Sequence, residues 1–313
     1  MPENRPAEGC GPSCGADGLA KGAPLPGAFA SAADYAVCAR LHRLHGTTYY
    51  LASRRFPREV RRRVDSVYGF VRVPDEWVDN PGGLSPSEQR AKLDGYLCEL
   101  LRGLEGVAPS EPVLRAFVDT MRSTGMPVDE PLLFLDAMRM DLEVFAYPSY
   151  ASLRRYVRGC ASAVGLMMGH ASGAPLTSEV REHAILLGEA MQMTNFLRDV
   201  PQDAALGRVY LPEEDLAAHG VSREDVLQGR WSAAFERLMR FEIARARELY
   251  ARSDAVIATL PRRTRAPVRV ARVLYSRILD RLEGQGANPY VRRARTGRLE
   301  KLWVAARVGL LGR

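Results

Sequence analysis

From about residue 32 to the C-terminus, apolar residues recur with helical spacing. The pattern is clear in "AADYAVCARLHRLHGTTYYLASRRF", "REVRRRVDSVYGFVRVPDEWVDN" and "YASLRRYVRGCASAVGLMMGHASG", where they fall at i, i+3, i+4 and i+7. Alternating β-branched runs bounded by hairpin turns are missing. Breaks fall at Pro57, "PGG" at 81–83, Pro109 with Pro112, Gly125 with Pro127, Pro148, "SGAP" at 172–175 and Pro212, residues that end helices or start turns. No segment repeats at a fixed period, which excludes a solenoid. The pattern predicts one all-α domain over residues 32–313, a large bundle of roughly eight to ten helices. Residues 1–31, rich in Gly, Pro, Ala and Ser, read as a flexible leader without the apolar centre of a signal peptide.

Hydrophobic residues make up 46% of the 313, enough for a sizeable core. Lys plus Arg number 44 against 37 Asp plus Glu, a net charge of +7, which favours anionic partners: nucleic acid, acidic lipid or phosphorylated small molecules. The five cysteines, Cys10, Cys14, Cys38, Cys98 and Cys160, are odd in number and irregularly spaced. They read as reduced thiols of a cytoplasmic protein, and the C-x3-C pair lacks the second pair or histidine of a zinc site. No apolar run approaches the roughly 18 residues of a membrane span. The chain therefore reads as soluble or as lying on a membrane surface.

Two acidic clusters carry candidate chemistry. In "RVPDEWVDN", Arg72, Asp75 and Asp79 share one helical face, with Glu76 on its flank, prolonging the apolar stripe Val64, Val67, Tyr68 and Val71. In "GEAMQMTNFLRDVPQDAALGRVYLP", Gln192, Asn195 and Asp199 share another face, which a regular helix extends to Asp203. Pro201 lacks an amide proton and its ring crowds Leu197, which predicts a kink between the two acids. Carboxylates at i, i+4 repel, and burying such groups without partners is costly. If the two helices face each other, four carboxylates converge and require divalent cations. Oxygen donors without His or Cys point to Mg2+ or Mn2+, and Arg72 and Arg198 suit phosphate oxygens. The chemistry suggested is metal-assisted departure of diphosphate.

The motifs "QMTNFLRDV", "GRVYLP" and R-x-x-D-E-x-x-D, about 120 residues apart, together resemble those of the phytoene and squalene synthase family of head-to-head prenyl transferases, over roughly residues 38–300. The resemblance implies an isoprenoid synthase fold: an all-α bundle with a central cavity and two acidic motifs on facing helices. By position it assigns Asp75, Asp79, Asn195, Asp199 and Asp203 to metal, and Arg72, Gln192 and Arg198 to the ions and diphosphate. "HGTTYYLASRRFP" resembles the family's N-terminal substrate helix, which makes His45 and Thr48 substrate contacts. Many members carry a cation where this chain has Thr47, and Arg54 or Arg55 would have to supply it. "YVRGCASAVG" resembles another family segment: Tyr156 matches a tyrosine, while Arg158 and Ser162 depart from the pattern. Arg208, Tyr210, Tyr275 and Arg292 are further candidate contacts. The implied substrates are two geranylgeranyl diphosphates and the product phytoene. Squalene, dehydrosqualene or presqualene diphosphate from farnesyl diphosphate is the alternative, with NADPH needed only for squalene.

Several residues keep two readings. Met138, Met140, Met167 and Met168 line a prenyl tunnel or fill ordinary core; Trp77 faces a carbocation or packs against a neighbouring helix. His170 and His183 read as surface or capping residues. The basic C-terminal segment, with Leu299, Leu302, Trp303, Ala306 and Val308 as its stripe, is a docked helix or one resting on an anionic membrane. A non-catalytic helical protein of the same fold, or a basic nucleic-acid binder, is the rival of another class. The intact acidic motifs and the absence of a helix-turn-helix argue against both, so the expected partners are prenyl diphosphates and not nucleic acid, with the chain a monomer or weak oligomer.

Overall fold

The computed structural model describes residues 27–311. In chain order the helices are α1 Ala32–His45, α2 Thr47–Ser53, α3 Arg58–Asp79, α4 Pro86–Leu104, α5 Pro112–Thr124, α6 Asp129–Met140, α7 Tyr150–Val157, α8 Ala163–Ser172, α9 Ser178–Ala205, α10 Glu213–His219, α11 Arg223–Leu227, α12 Ala233–Ile257, α13 Arg262–Gly284 and α14 Arg298–Leu311. A π-helical turn, Arg158–Ser162, joins α7 to α8. The all-α expectation holds: among the described residues the only β contact is an isolated bridge between Ala146 and Val209. Among the described residues the helices number fourteen rather than eight to ten, partly because α2, α10 and α11 have only seven, seven and five residues. That is two turns or fewer, too short for a 3.6-residue period to show.

The N-terminal boundary differs slightly from expectation. Ser31 caps α1 in a reciprocal capping box with Asp34, and the amides of Phe29 and Ala30 donate to the Asp119 carboxylate at 3.0 and 2.8 Å. The chain is thus pinned from Phe29 onward. Residues 1–26 of the expected leader, with Cys10 and Cys14, lie outside the described residues.

Helices α3 and α9 are the central pair. α3 packs on α1, α5 and α8, and α9 lies along α12. Phe70 of α3 stacks on Phe117 of α5 at 3.8 Å, and a Ser66–Thr120 hydroxyl pair at 2.7 Å ties the same helices where both groups are fully buried. α9 continues through Pro201 to Ala205 without interruption, so the expected disturbance does not end the helix. α3 likewise contains Pro74. The Phe70 carbonyl that Pro74 cannot serve is approached by the Tyr96 hydroxyl at 3.4 Å.

The π turn admits one extra residue and depends on Gly159. A Cβ built there would stand 2.4 Å from the Leu133 carbonyl oxygen of α6. Gly159→Ala is expected to destabilise the fold by about 1–3 kcal/mol, read by urea denaturation. A second constraint sits under α12. Arg245 donates to Asp215 of α10 at 2.8 Å and to buried Glu242 at 2.8 Å, and its guanidinium lies 4.0 Å over the Tyr150 ring of α7. Burial pushes the Glu242 carboxyl up to about 8, against the pull of Arg245. Its protonated form is favoured by folding, so this contribution is complete below the ordinary value of 4.5 and is lost as pH rises through about 8. Thermal melts should therefore show wild-type stability falling between pH 5 and 9 more steeply than that of Glu242→Gln.

Candidate active site

A cavity of about 610 Å3 runs between α2, α3, α6, the π turn, α8, α9, α12 and α13. Its two halves differ in chemistry because α3 and α9 change character along their length. Toward their middles both helices give the cavity mainly apolar side chains, and both carry their cavity-lining carboxylates in the last two turns, Asp75 and Asp79 on one and Asp199 and Asp203 on the other. Helix C-terminal ends carry partial negative charge, so the placement adds to the repulsion among the acids.

All four aspartates line the cavity, with Arg72, Tyr156, Gln192, Asn195, Arg198, Arg208, Tyr210, Tyr275 and His45. Arg292 does not: it is exposed, and its carbonyl accepts from the Gln285 side chain at 2.9 Å. Its neighbour Arg293 lines the cavity instead. The Thr48 side chain lies outside the described residues.

Guanidinium groups hold the acids. Arg72 pairs with Asp75 and Glu76. Arg208 donates to Asp79 at 2.8 Å and to the Asp141 carbonyl at 3.2 Å. Asp199 is gripped twice, by Arg198 through Nε at 2.9 Å and by Arg293 through Nε and Nη2 at 2.6 and 2.9 Å. Burial works to raise the Asp199 carboxyl, but these two guanidiniums outweigh it and hold it below the usual range. Asp203 makes no side-chain hydrogen bond or ion pair among the described residues. Burial, then the nearby Asp199 and Asp79 charges, push it up to about 8. Asp75 rises to about 6 through burial and Asp79, despite Arg72; its side chain is 40% accessible, and this exposed part faces the cavity it lines.

Sequence reasoning missed Asp141, a lone acid just past α6. It is buried, accepts the hydroxyls of Tyr156 and Tyr210 at 2.7 and 2.9 Å, and is raised to about 6 by burial over those donors. Without an i+4 partner it gave no periodic signal. Tyr210 stacks on Phe196 at 4.2 Å and lies 5.7 Å from Tyr156, forming an aromatic wall beside the acids. Tyr49 was also missed, and Tyr68, placed by the sequence only in the apolar stripe of α3, lines the cavity as well. Tyr49 donates to the Met191 sulfur at 2.7 Å. Tyr68 stacks on His42 at 4.3 Å, and a Cβ at Gly46 would come within 2.5 Å of its ring.

The other half is apolar. Phe134, Met138, Val164, Met168, Leu187 and Val268 line it, while Met167 is fully buried core and Met140 is packed against the core. Glycines bring its helices together: a Cβ at Gly188 would be 2.9 Å from the Ala161 carbonyl, and one at Gly165 would be 3.0 Å from that of Ala184. Trp77 takes the packing reading, edge-on to Tyr96 at 5.4 Å. His183 lines the cavity rather than only capping, and its Nδ1 meets the Glu179 carbonyl at 2.8 Å. Arg54 and Arg55 are exposed and do not line the cavity, whereas Lys301 of α14 donates to Thr47 Oγ1 at 2.9 Å. Arg158 turns to Glu130 at 2.8 Å.

The donor set fits a hard cation. It offers carboxylate and amide oxygens, and the buried Asn195 Oδ1 has no hydrogen-bond partner. Among the described residues no three His, Cys, Asp or Glu side chains are grouped to chelate one ion. The arrangement therefore suits Mg2+, which takes a few carboxylates and completes its shell with water and phosphate oxygens.

The sequence profile described as Squalene/phytoene synthase matches residues 42–300. The chain is 34% identical to the phytoene synthase of Arthrospira platensis over 273 residues, covering 83% of this chain and 87% of that protein. It is 33% identical to the 15-cis-phytoene synthase of Synechocystis sp. over 294 residues, covering 88% and 86%. Among solved structures, a dehydrosqualene synthase in complex with ligand superposes with a TM-score of 0.81 at 25% identity, covering 89% of this chain and 96% of that one. The squalene synthase HpnC from Alicyclobacillus acidocaldarius gives 0.75 at 29%, covering 82% and 95%. The bundle thus has the isoprenoid synthase fold. One consequence of the charge arrangement is measurable without substrate. Asp203→Asn removes an unpartnered carboxylate from the cluster, so in metal-free buffer it should raise the melting temperature by about 2–4 °C; a fall would mean that the carboxylate stabilises the resting fold.

Proposed function

We propose, from the premise that the chain belongs to the squalene/phytoene synthase family of prenyltransferases, that it joins two geranylgeranyl diphosphates head to head and makes phytoene. The observation that carries the reading is a single cavity with an acid- and arginine-lined end and an apolar end. Such a shape takes a charged head and a hydrocarbon tail at once, and its volume lies within the usual range of ligand sites. The names of the cyanobacterial relatives support phytoene as the product.

In this reading the guanidiniums of Arg72, Arg198, Arg208 and Arg293 move donors from carboxylates to phosphate oxygens when the diphosphate arrives. They face the charge that grows as the C1–O bond of the first substrate breaks, where fixed donors are most effective. Asp75, Asp79, Asn195, Asp199 and Asp203 would hold Mg2+, or Mn2+, which supplies further positive charge against the leaving diphosphate. The double bond of the second substrate attacks the allylic cation, and proton loss leaves a cyclopropylcarbinyl diphosphate. A second ionisation opens the ring, and loss of a proton ends the sequence at phytoene. The faces of Tyr156, Phe196 and Tyr210 flank the cationic centre, with Asp141 fixing the two phenols. The apolar half excludes the water that would otherwise quench the cation.

In the cell this reading gives a cytoplasmic enzyme, a monomer or weak oligomer, with peripheral membrane contact; no described helix is long and apolar enough to cross a membrane. Likeness to the dehydrosqualene synthase structure supports a second reading, in which farnesyl diphosphate is the substrate. Incubation with each diphosphate and Mg2+, with and without NADPH, followed by hydrocarbon identification, separates them. Phytoene from geranylgeranyl diphosphate, independent of NADPH, is the expected result. No hydrocarbon or cyclopropyl diphosphate from either substrate overturns the proposal. Asp75→Ala and Asp199→Ala should each lower turnover by at least about 10²-fold, with unchanged circular dichroism.

A further inference from the structure

The end of the bundle opposite the acids has a character of its own. Helices α3, α9 and α13 all start there, with the residues that bear on the acidic cluster toward or beyond their far ends. The connections before them, residues 54–57, 173–177 and 258–261, therefore gather at that end. They close the apolar half of the cavity through Phe56, Leu176 and Leu260. Val180, Val256 and Leu260 form a small apolar cluster there, separate from the main core.

Arginines crowd the same connections and the first turns of α3 and α13. Residues 54–63 hold six arginines and one acid, Glu59, and residues 262–269 hold four arginines and no acid. Acids near them are few: Glu179 and Glu182 on α9, Glu130 of α6, which is occupied by Arg158 and Arg181 at 2.8 and 3.3 Å, and Asp254, which is occupied by Arg272 at 2.6 Å. Arg54, Arg58, Arg262, Arg263 and Arg269 are exposed, and none has a side-chain hydrogen bond, ion pair or ring contact among the described residues. The acidic end is the reverse, with its arginines engaged on carboxylates. Like charges left uncompensated on one face disfavour the isolated fold and favour an extended anionic partner. The positive ends of three helix dipoles point the same way.

We infer that this end of the bundle docks on an anionic lipid bilayer, with its free arginines at the lipid phosphates and the apolar end of the cavity against the membrane. Apolar chains would then pass between bilayer and cavity without crossing water. That passage rests on the proposed prenyl reaction, whereas the docking does not. The C-terminal helix is the weaker candidate. Although Leu299 and Trp303 of α14 are exposed, Arg277 and Arg281 are engaged by Glu300, Arg277 and Arg307 lie over the Trp303 ring, and buried Val304 anchors the helix.

The test is flotation of the full chain with phosphatidylcholine vesicles and with vesicles carrying one quarter phosphatidylglycerol, at 50 and 500 mM NaCl. Binding is expected only with the anionic lipid and only at low salt. It should weaken roughly fivefold for each arginine removed, so the quadruple variant Arg58→Ala, Arg262→Ala, Arg263→Ala, Arg269→Ala should lose more than 100-fold. Trp303→Ala with Leu299→Ala should bind as wild type. Circular dichroism of both variants confirms that they fold. Equal binding to neutral vesicles, an unchanged quadruple variant, loss confined to the α14 variant, or tighter capture of duplex DNA than of anionic vesicles overturns the inference. Vesicle binding is read without substrate, so its failure and a failure of the product assay are separate results.

Discussion

Carboxylates crowded at one end of a cavity repel one another, and the rest of the structure is arranged around that repulsion. Asp75, Asp79, Asp199 and Asp203 line one end of the cavity and are delivered by the negative ends of two helix dipoles. The fold tolerates this because Arg72, Arg198, Arg208 and Arg293 sit on three of them. The fourth, Asp203, is left without a guanidinium and shifts toward its neutral form. Neutralisation by a proton and neutralisation by a cation meet the same need, so in the proposed reading a bound cation would replace the proton that Asp203 favours.

Much of this was legible in the sequence because it is periodic. Acids at i and i+4 beside an arginine, prolonging an apolar stripe along the same helix, define a face without any structure. Gln192 and Asn195 share the face of Asp199, whereas the positions of Arg208, Tyr210 and Tyr275, which also line the cavity, followed from the family resemblance and not from a period. What escaped reading has no period. Asp141 gains its importance from two phenols 15 and 69 residues away, and Arg293 from an acid 94 residues away. The short helices α2, α10 and α11 complete too few turns to declare themselves. Position 47 shows the same limit: its cationic neighbour, Lys301, arrives from α14, 254 residues on.

The apolar half rests on a different constraint, the close approach of helix backbones. Gly159, Gly165 and Gly188 stand where a methyl group would meet a carbonyl of a neighbouring helix or turn. Packing at that distance fixes α6, the π turn, α8 and α9 relative to one another with little freedom to adjust. The cavity wall is thus set by backbone as much as by side chains, and the π turn presents Cys160 and Ala161 to the interior.

The common direction of α3, α9 and α13 has a further consequence. Because the positive ends of all three meet the free arginines and the negative ends of α3 and α9 meet the aspartates, the molecule has a permanent electric moment along its cavity. A body of this kind experiences a torque in an external field and turns before it touches anything. Screening confines that torque to within about 8 Å at physiological salt, so orientation is selected in the last layer of water, where approach and alignment become one event.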